Sequence, residues 1–329
     1  MRNVLVSLFL ILSCCSLAVA DVINVEFKFT PFTGDPGTAD HVETVPGKAS
    51  VFINNIPVTE QEVGKKEVPV LFEEREIAPA VWLPTQSLGP ALRKGKNIVR
   101  IEFEPSDSAA PYRAQLRWAS VTDQVTRTED APDRIRETNQ SGEGVDDRKA
   151  LGRIVFEREF RADFAEDQPW RNYPPVTTLS DKDRQDLAAL VKERAMTFKP
   201  DFSGAYRILK DNRNIDLADV KRIKCLDKAY AAGVRVIALP AEKLDFVITG
   251  KPEVVVQGKA GSLFLPLDPN VFDRITDDTV QMCAGIALSV LYPPRFVVVR
   301  TAAGTWEVVY KKVSKLLKRL KGLVCMARG

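Results

Sequence analysis

Histidine is almost absent. The chain has one, His41, beside Asp40, which excludes multi-histidine metal sites and the H-E-x-x-H zinc motif. A Ser-His-Asp or Cys-His catalytic set would have to use that residue, and no G-x-S-x-G accompanies it. Its surroundings, the Gly/Pro/Asp/Thr-rich stretch 34–46, read as a loop between strands, where a histidine is ordinarily solvated. No C-x-x-C pair occurs, which argues against thioredoxin-like redox chemistry. Neither G-x-x-x-x-G-K-[ST] nor G-x-G-x-x-G occurs, so phosphates and dinucleotides have no glycine-rich cradle. The D-x-D-x-D-G calcium loop is missing too. These absences predict no cofactor and no metal. Beyond the first twenty residues there is no long apolar run either: 285–291 and 296–299 are short and end at proline or arginine.

Charge of one sign is not in excess. Lys and Arg number 47 against 44 Asp and Glu, so the whole chain selects no polyanion, and nucleic acid is not an expected partner. The N-terminus is informative. Arg2 precedes the apolar run Val4–Leu12, broken only by Ser7, and Ala18-Val19-Ala20 stands before the polar segment opening at Asp21. That order describes a secretory signal, too short for the roughly 20 apolar residues of a membrane span. Residues 1–20 are therefore expected to be a removable signal peptide, and the rest of the chain to be periplasmic or secreted. A buried N-terminal helix or signal anchor is one alternative. A lipoprotein signal is another, because Cys14 and Cys15 end the run and Ser13 suits lipidation. Of five cysteines, two leave with the signal. Cys225 and Cys283 are the pair chosen for one disulfide, leaving Cys325; three free or buried thiols are the alternative, since spacing alone cannot establish a bridge.

Residues 21–121 alternate in the manner of strands. Val25, Phe27 and Phe29 stand against Asn24, Glu26 and Lys28. Ala49–Asn54 ends in the turn-forming pair Asn54-Asn55. Val68–Phe72 is a third strand. Gly95-Lys96-Asn97 turns into the alternating Ile98–Glu104, and Tyr112–Val121 follows. Short strands separated by Gly/Pro/Asn clusters predict an antiparallel β-sandwich. Val51-Phe52-Ile53-Asn54-Asn55 and the later Leu92-Arg93-Lys94-Gly95-Lys96-Asn97 resemble the galactose-binding type of jelly roll, an accessory domain of glycan-active enzymes. Asn55 stands where that family usually has Gly. An immunoglobulin-like sandwich reads almost the same way.

Residues 122–150 are polar and poor in large apolar side chains, a composition that predicts a linker or long loop. Arg153–Phe160 reads as one more strand, closing the sandwich or opening the next domain. Residues 151–310 read as an α+β domain, helices packed on a curved antiparallel sheet. Ser180 caps a helix with Asp181 and Asp183 in its first turn; Leu187, Leu190, Val191, Ala195 and Phe198 share a face. Asp216 caps a second, stopped at Gly233, and a third runs from Asp278 to Leu291. Strands are expected at 234–239, 244–249, 253–257, 263–267, 296–301 and 306–310. The ending Arg300-Thr301-Ala302-Ala303-Gly304-Thr305-Trp306-Glu307-Val308-Val309 resembles the α+β cone of nuclear transport factors and small polyketide cyclases, which implies an enclosed pocket.

Three sets of residues are candidates for function. The carboxylates of Glu73-Glu74-Arg75-Glu76 and Asp277-Asp278 suit glycoside acid–base chemistry if they flank a cleft; a charged strand edge and a helix cap are the structural explanations. Trp82 and Trp170, near prolines, suit sugar stacking better than Trp118 and Trp306, although such rings commonly anchor packing. In the tail, Lys311, Lys312, Lys315, Lys318, Arg319 and Lys321 interleave with Val313, Leu316, Leu317 and Leu320, a basic amphipathic helix over 311–329. It fits an anionic membrane or an acidic partner, or a helix docked on the body by its leucines. The expected function is an exported, non-catalytic protein of the cell envelope, binding a small molecule, glycan or envelope protein. The alternative is a carboxylate-dependent enzyme on a glycan or envelope substrate.

Overall fold

The computed structural model describes residues 21–71, 75–128, 131–212 and 215–309. Every strand pairing among them is antiparallel. The N-terminal part is β-rich. One sheet holds β1 (Asp21–Thr33), β2 (His41–Thr44), β5 (Glu67–Pro69), β8 (Pro111–Thr128) and β9 (Ala131–Leu151) in the order β5-β2-β1-β8-β9, with β6 (Val81–Pro84) also paired to β1. The other holds β3 (Gly47–Ile53), β4 (Ile56–Val63), β7 (Lys96–Pro105) and β10 (Ile154–Arg161) in the order β10-β7-β3-β4.

The two-residue period of a strand places alternate side chains between these sheets. Phe27 and Phe29 of β1 and Val99, Ile101 and Phe103 of β7 are all buried. Phe29 meets Phe103 and Phe156 with ring centroids 5.8 Å apart in each case, and Phe27 meets Phe160 at 5.1 Å. Ile53 pairs with Ile56, so β3 and β4 are joined by Asn54 and Asn55 alone, with φ of 52° and 67°. Two positive φ angles are the requirement of a type I′ hairpin turn, and Asn is among the few non-glycine residues that adopt them. The Asn54 amide donates to Asn97 Oδ1 (2.8 Å), which also accepts from the Arg93 N–H (2.7 Å). The turns after β3 and before β7 are thereby pinned together.

Several expectations need correction here. Of the stretch expected to be a linker or long loop, residues 122–128 and 131–150 lie in β8 and β9, paired from Pro111↔Leu151 to Thr128↔Ala131. A hairpin is held by main-chain hydrogen bonds, which any polar sequence supplies. Residues 154–161 pair with β7 and so belong to the β-rich part, not to the α+β part. His41 is not in a loop; it opens β2, with an exposed side chain.

The C-terminal part carries the five α-helices found among the described residues: α1 (Asp181–Ala195), α2 (Ser203–Lys210), α3 (Leu217–Ile223), α4 (Cys225–Ala231) and α5 (Asp278–Leu291). Ser180 accepts from the Asp183 N–H and the Asp183 side chain accepts from the Ser180 N–H, a complete capping box. The single helix expected from Asp216 to Gly233 is two, broken where Lys224 takes φ 56°. α2 has no counterpart among the expected elements.

A four-stranded sheet runs in the order β12 (Leu244–Ile248), β13 (Glu253–Gly258), β15 (Arg295–Arg300), β16 (Trp306–Val308); β11 (Val236–Ala238) and β14 (Phe264–Pro266) form a separate pair. Val254, Val256, Phe296 and Val298 bury one face of the four-stranded sheet against the helices. Val255 on the opposite face joins the core of the β-rich part, with Val247 and Val297 packed beside it. The sheet is thus covered on both sides, which explains the uninterrupted valines of β13. Cys225 and Cys283 are disulfide-bonded, tying α4 to α5 with Cα atoms 6.0 Å apart. No described helix is long and apolar enough to cross a membrane.

Candidate functional site

Two charge clusters stand out, one joining the β-rich part to the α+β part and one within the α+β part. The first centres on Glu253, at the start of β13, whose side chain is completely buried. Arg93 Nη2 donates to one carboxylate oxygen at 2.8 Å and Arg171 Nη1 to the other at 3.0 Å. Arg171 Nη2 also donates to the carbonyls of Pro90 (2.9 Å) and Leu92. Burial pulls the Arg171 guanidinium down to about 10, against the pull of Glu253 in the other direction, so it stays cationic at neutral pH. Around this clasp, Asn55 Nδ2 donates to Thr249 O at 3.2 Å and Arg295 Nη1 to Pro57 O at 2.6 Å. The Arg93, Asn55 and Arg295 bonds each join the β-rich part to the C-terminal part. With the Glu253 carboxylate fully buried and both its oxygens held by arginines, we read the clasp as structural.

The second cluster borders open space. Asp183, in the first turn of α1, accepts from the Ser180 N–H (2.9 Å) and hydroxyl (2.7 Å) on one oxygen. Its other oxygen accepts from Trp306 Nε1 (3.1 Å) and is ion-paired with Arg300. Burial alone would raise this carboxyl, but the bonds from Ser180, Arg300 and Trp306 outweigh it and hold Asp183 well below the usual carboxylate range. With both oxygens engaged, Asp183 is a positioning group and not a free base. It fixes Arg300, whose guanidinium lies 4.7 Å over the Trp306 ring.

Arg300 lines a groove of about 360 Å³ with Thr301, Ala302 and Gly304 of the β15–β16 turn and with Pro174–Thr178. The turn is closed by Thr301 N–H to Thr305 O (2.8 Å), with Gly304 at φ 79°. Val176 is buried and donates its N–H to Lys251 O at 3.0 Å, while Pro174, Pro175, Thr177 and Thr178 remain exposed. The groove therefore offers proline rings, threonine hydroxyls and one held guanidinium.

The residues singled out from sequence are scattered. Trp82 stands on the sandwich with 58% of its surface exposed, its Nε1 donating to Glu26 at 3.2 Å. Trp170 is buried against Val299 and Val309, so it is not a stacking platform: the short helical turn Pro169–Asn172 folds its ring inward to seat the neighbouring Arg171 in the clasp. Asp277 caps α5, accepting from the Thr279 and Val280 N–H groups at 3.0 and 3.2 Å. Glu76 pairs with Lys28 at 2.7 Å; Glu73 and Glu74 lie outside the described residues. So do Lys311, Lys312, Lys315, Lys318, Arg319 and Lys321, together with Cys325. No three His, Cys, Asp or Glu side chains converge as a metal site among the described residues. No family model, curated protein or solved structure matches the chain.

The sequence reading missed Glu253 and Arg171 altogether. A carboxylate opening the run Val254-Val255-Val256 was the available signal for the first. The contribution of Asp183 to a groove had no local signal beyond its place three residues after Ser180.

Proposed function

We propose that this chain is an exported, non-catalytic protein of the cell envelope that binds a neutral, hydroxyl-rich ligand such as an envelope glycan. The ligand sits in the groove between Pro174–Thr178 and Arg300–Gly304. The observation that carries this reading is Arg300, locked beside open space by a carboxylate that is itself saturated with donors. The Asp183–Arg300 pair is neutral as a unit, so the groove gives directed hydrogen bonds without a net charge to attract an ion. Threonine hydroxyls and proline faces complement hydroxyls and C–H surfaces of a sugar. The resemblance of the sequence at Val51–Asn55 and Leu92–Asn97 to galactose-binding modules points the same way, and exposed Trp82 supplies the β-rich part with an aromatic platform.

The test is a thermal-shift screen of residues 21–329 against envelope glycans, small metabolites, divalent metals and anionic lipid micelles. A ligand that binds only the folded protein stabilises it by mass action, about 2.7 kcal/mol at a hundredfold excess over Kd. Glycans should raise the midpoint of the wild type and leave Thr177→Arg, which fills the groove from an exposed position, unshifted. A flat screen, or an equal shift in the variant, refutes the assignment. Export is tested separately: a chain beginning at Asp21 should be recovered outside the cytoplasm, and an intact N-terminus in the cytosol would count against it.

A further inference from the structure

The outward face of α5 is unlike an ordinary surface helix, which turns polar side chains to water. From Thr279 to Pro294 the sequence contains no charged residue. Met282 is 66% and Ile286 48% exposed, and their i,i+4 spacing places them side by side. With Phe272, Gln281 and Gly285 they border or line a groove of about 570 Å³. A side chain added at Gly285 would meet nothing within 4 Å, so another helix can approach closely there. The N-terminal end of this face is acidic, with Asp273, Asp277 and Asp278 exposed; of these, Asp277 has Lys228 at 3.9 Å.

We propose that the C-terminal segment of this same chain covers the face, with Leu316, Leu317 and Leu320 seated on Met282 and Ile286. The tail has the required composition: an apolar stripe among six basic residues between 311 and 321. It is also tethered at the right place. The Val309 N–H donates to Val297 O at 2.9 Å, so the chain leaves β16 beside the beginning of β15, just past the Pro293-Pro294 that follows α5. Residues 310–315 in extended form reach up to about 20 Å, enough to pass from the sheet layer over a packed helix. A tail running back along α5 then carries Lys318, Arg319 and Lys321 toward Asp273 and Asp278, where opposite charges attract. Burial of the leucine stripe supplies the driving force.

The test is hydrogen exchange on the mature chain, residues 21–329, read for peptides covering 313–321. In the wild type these amides exchange at least ~10-fold more slowly than in Met282→Glu/Ile286→Glu, because docking protects them. The reciprocal variant, Leu316→Glu/Leu317→Glu, leaves every described residue unchanged. It should lose the same protection and increase binding of a hydrophobic dye, an increase that Met282→Glu/Ile286→Glu abolishes. Exchange of 313–321 at the free-peptide rate in the wild type overturns the proposal, as does protection indifferent to Met282 and Ile286. Protection that vanishes on dilution would assign the face to a second copy of the chain. Protection that arises only with anionic vesicles would assign the tail to a membrane surface. Either outcome overturns docking within one chain.

Discussion

Replacing Glu253 with glutamine tests whether the two-arginine clasp holds the β-rich and α+β parts together. The substitution preserves shape and one acceptor but removes the carboxylate that bridges Arg93 at 2.8 Å and Arg171 at 3.0 Å. At an effective dielectric of about 20, unit charges 4 Å apart attract by about 4 kcal/mol. Desolvation offsets much of that in the intact protein, but the offset is already incurred, and removing one partner strands the others. Breaking a buried pair this way destabilises by about 3–5 kcal/mol. At roughly 2–4 °C per kcal/mol for 150–250 residues, and less for this longer chain, the thermal midpoint should fall by about 5 °C or more. The assays are thermal melting and urea unfolding, followed by tryptophan fluorescence and by far-ultraviolet circular dichroism, in low and high salt. A buried pair is screened little, so the loss should persist at high salt. Replacing all three residues, Glu253→Leu with Arg93→Leu and Arg171→Met, should recover most of the stability, since an apolar cluster of similar volume is commonly neutral or better. A loss below about 1 kcal/mol in Glu253→Gln, or a triple variant no more stable than the single one, would refute the clasp as the element joining the two parts.

Other perturbations have smaller or more local outcomes. Ser180→Ala removes the hydroxyl half of the capping box and should destabilise by about 1 kcal/mol in chemical denaturation. Asp183 is depressed in the folded protein relative to about 3.9 in the unfolded chain. Its contribution is therefore complete above that value and lost as pH falls toward the lower folded one. The stability gap between wild type and Asp183→Asn should be flat from neutral pH to about 5 and shrink only below about 4; a gap that closes near neutrality contradicts the ion pair with Arg300. Reducing the Cys225–Cys283 bridge, which spans 58 positions, should lower stability by about 2–4 kcal/mol through the freed unfolded chain, measured as a denaturation midpoint with and without reductant. Trp170→Ala should destabilise by about 3–5 kcal/mol, and Trp82→Ala, exposed on β6, by well under about 1 kcal/mol.

How far the fold was legible depended on where each residue finds its partners. β1 and β7 were readable because Phe27, Phe29, Ile101 and Phe103 report their own period, whatever they pack against. α5 was readable at both ends, from the Asp277 cap to the Tyr292-Pro293-Pro294 stop. β9 was not, since its pairing uses main-chain groups and its side chains carry no apolar period. The Glu253 clasp was invisible for a different reason: its arginines stand 160 and 82 positions away, and no local pattern announces a partner at that range. Asp183 marks the boundary between the two kinds of information. Ser180, three positions earlier, predicts its capping half. The donors from Trp306, 123 positions on, and from Arg300 arrive only when β15 and β16 fold beside the N-terminus of α1. The groove is made by that same arrival, so a reading that recognises the cap still cannot see the site, and groove-filling at Thr177 is the perturbation that separates the two roles.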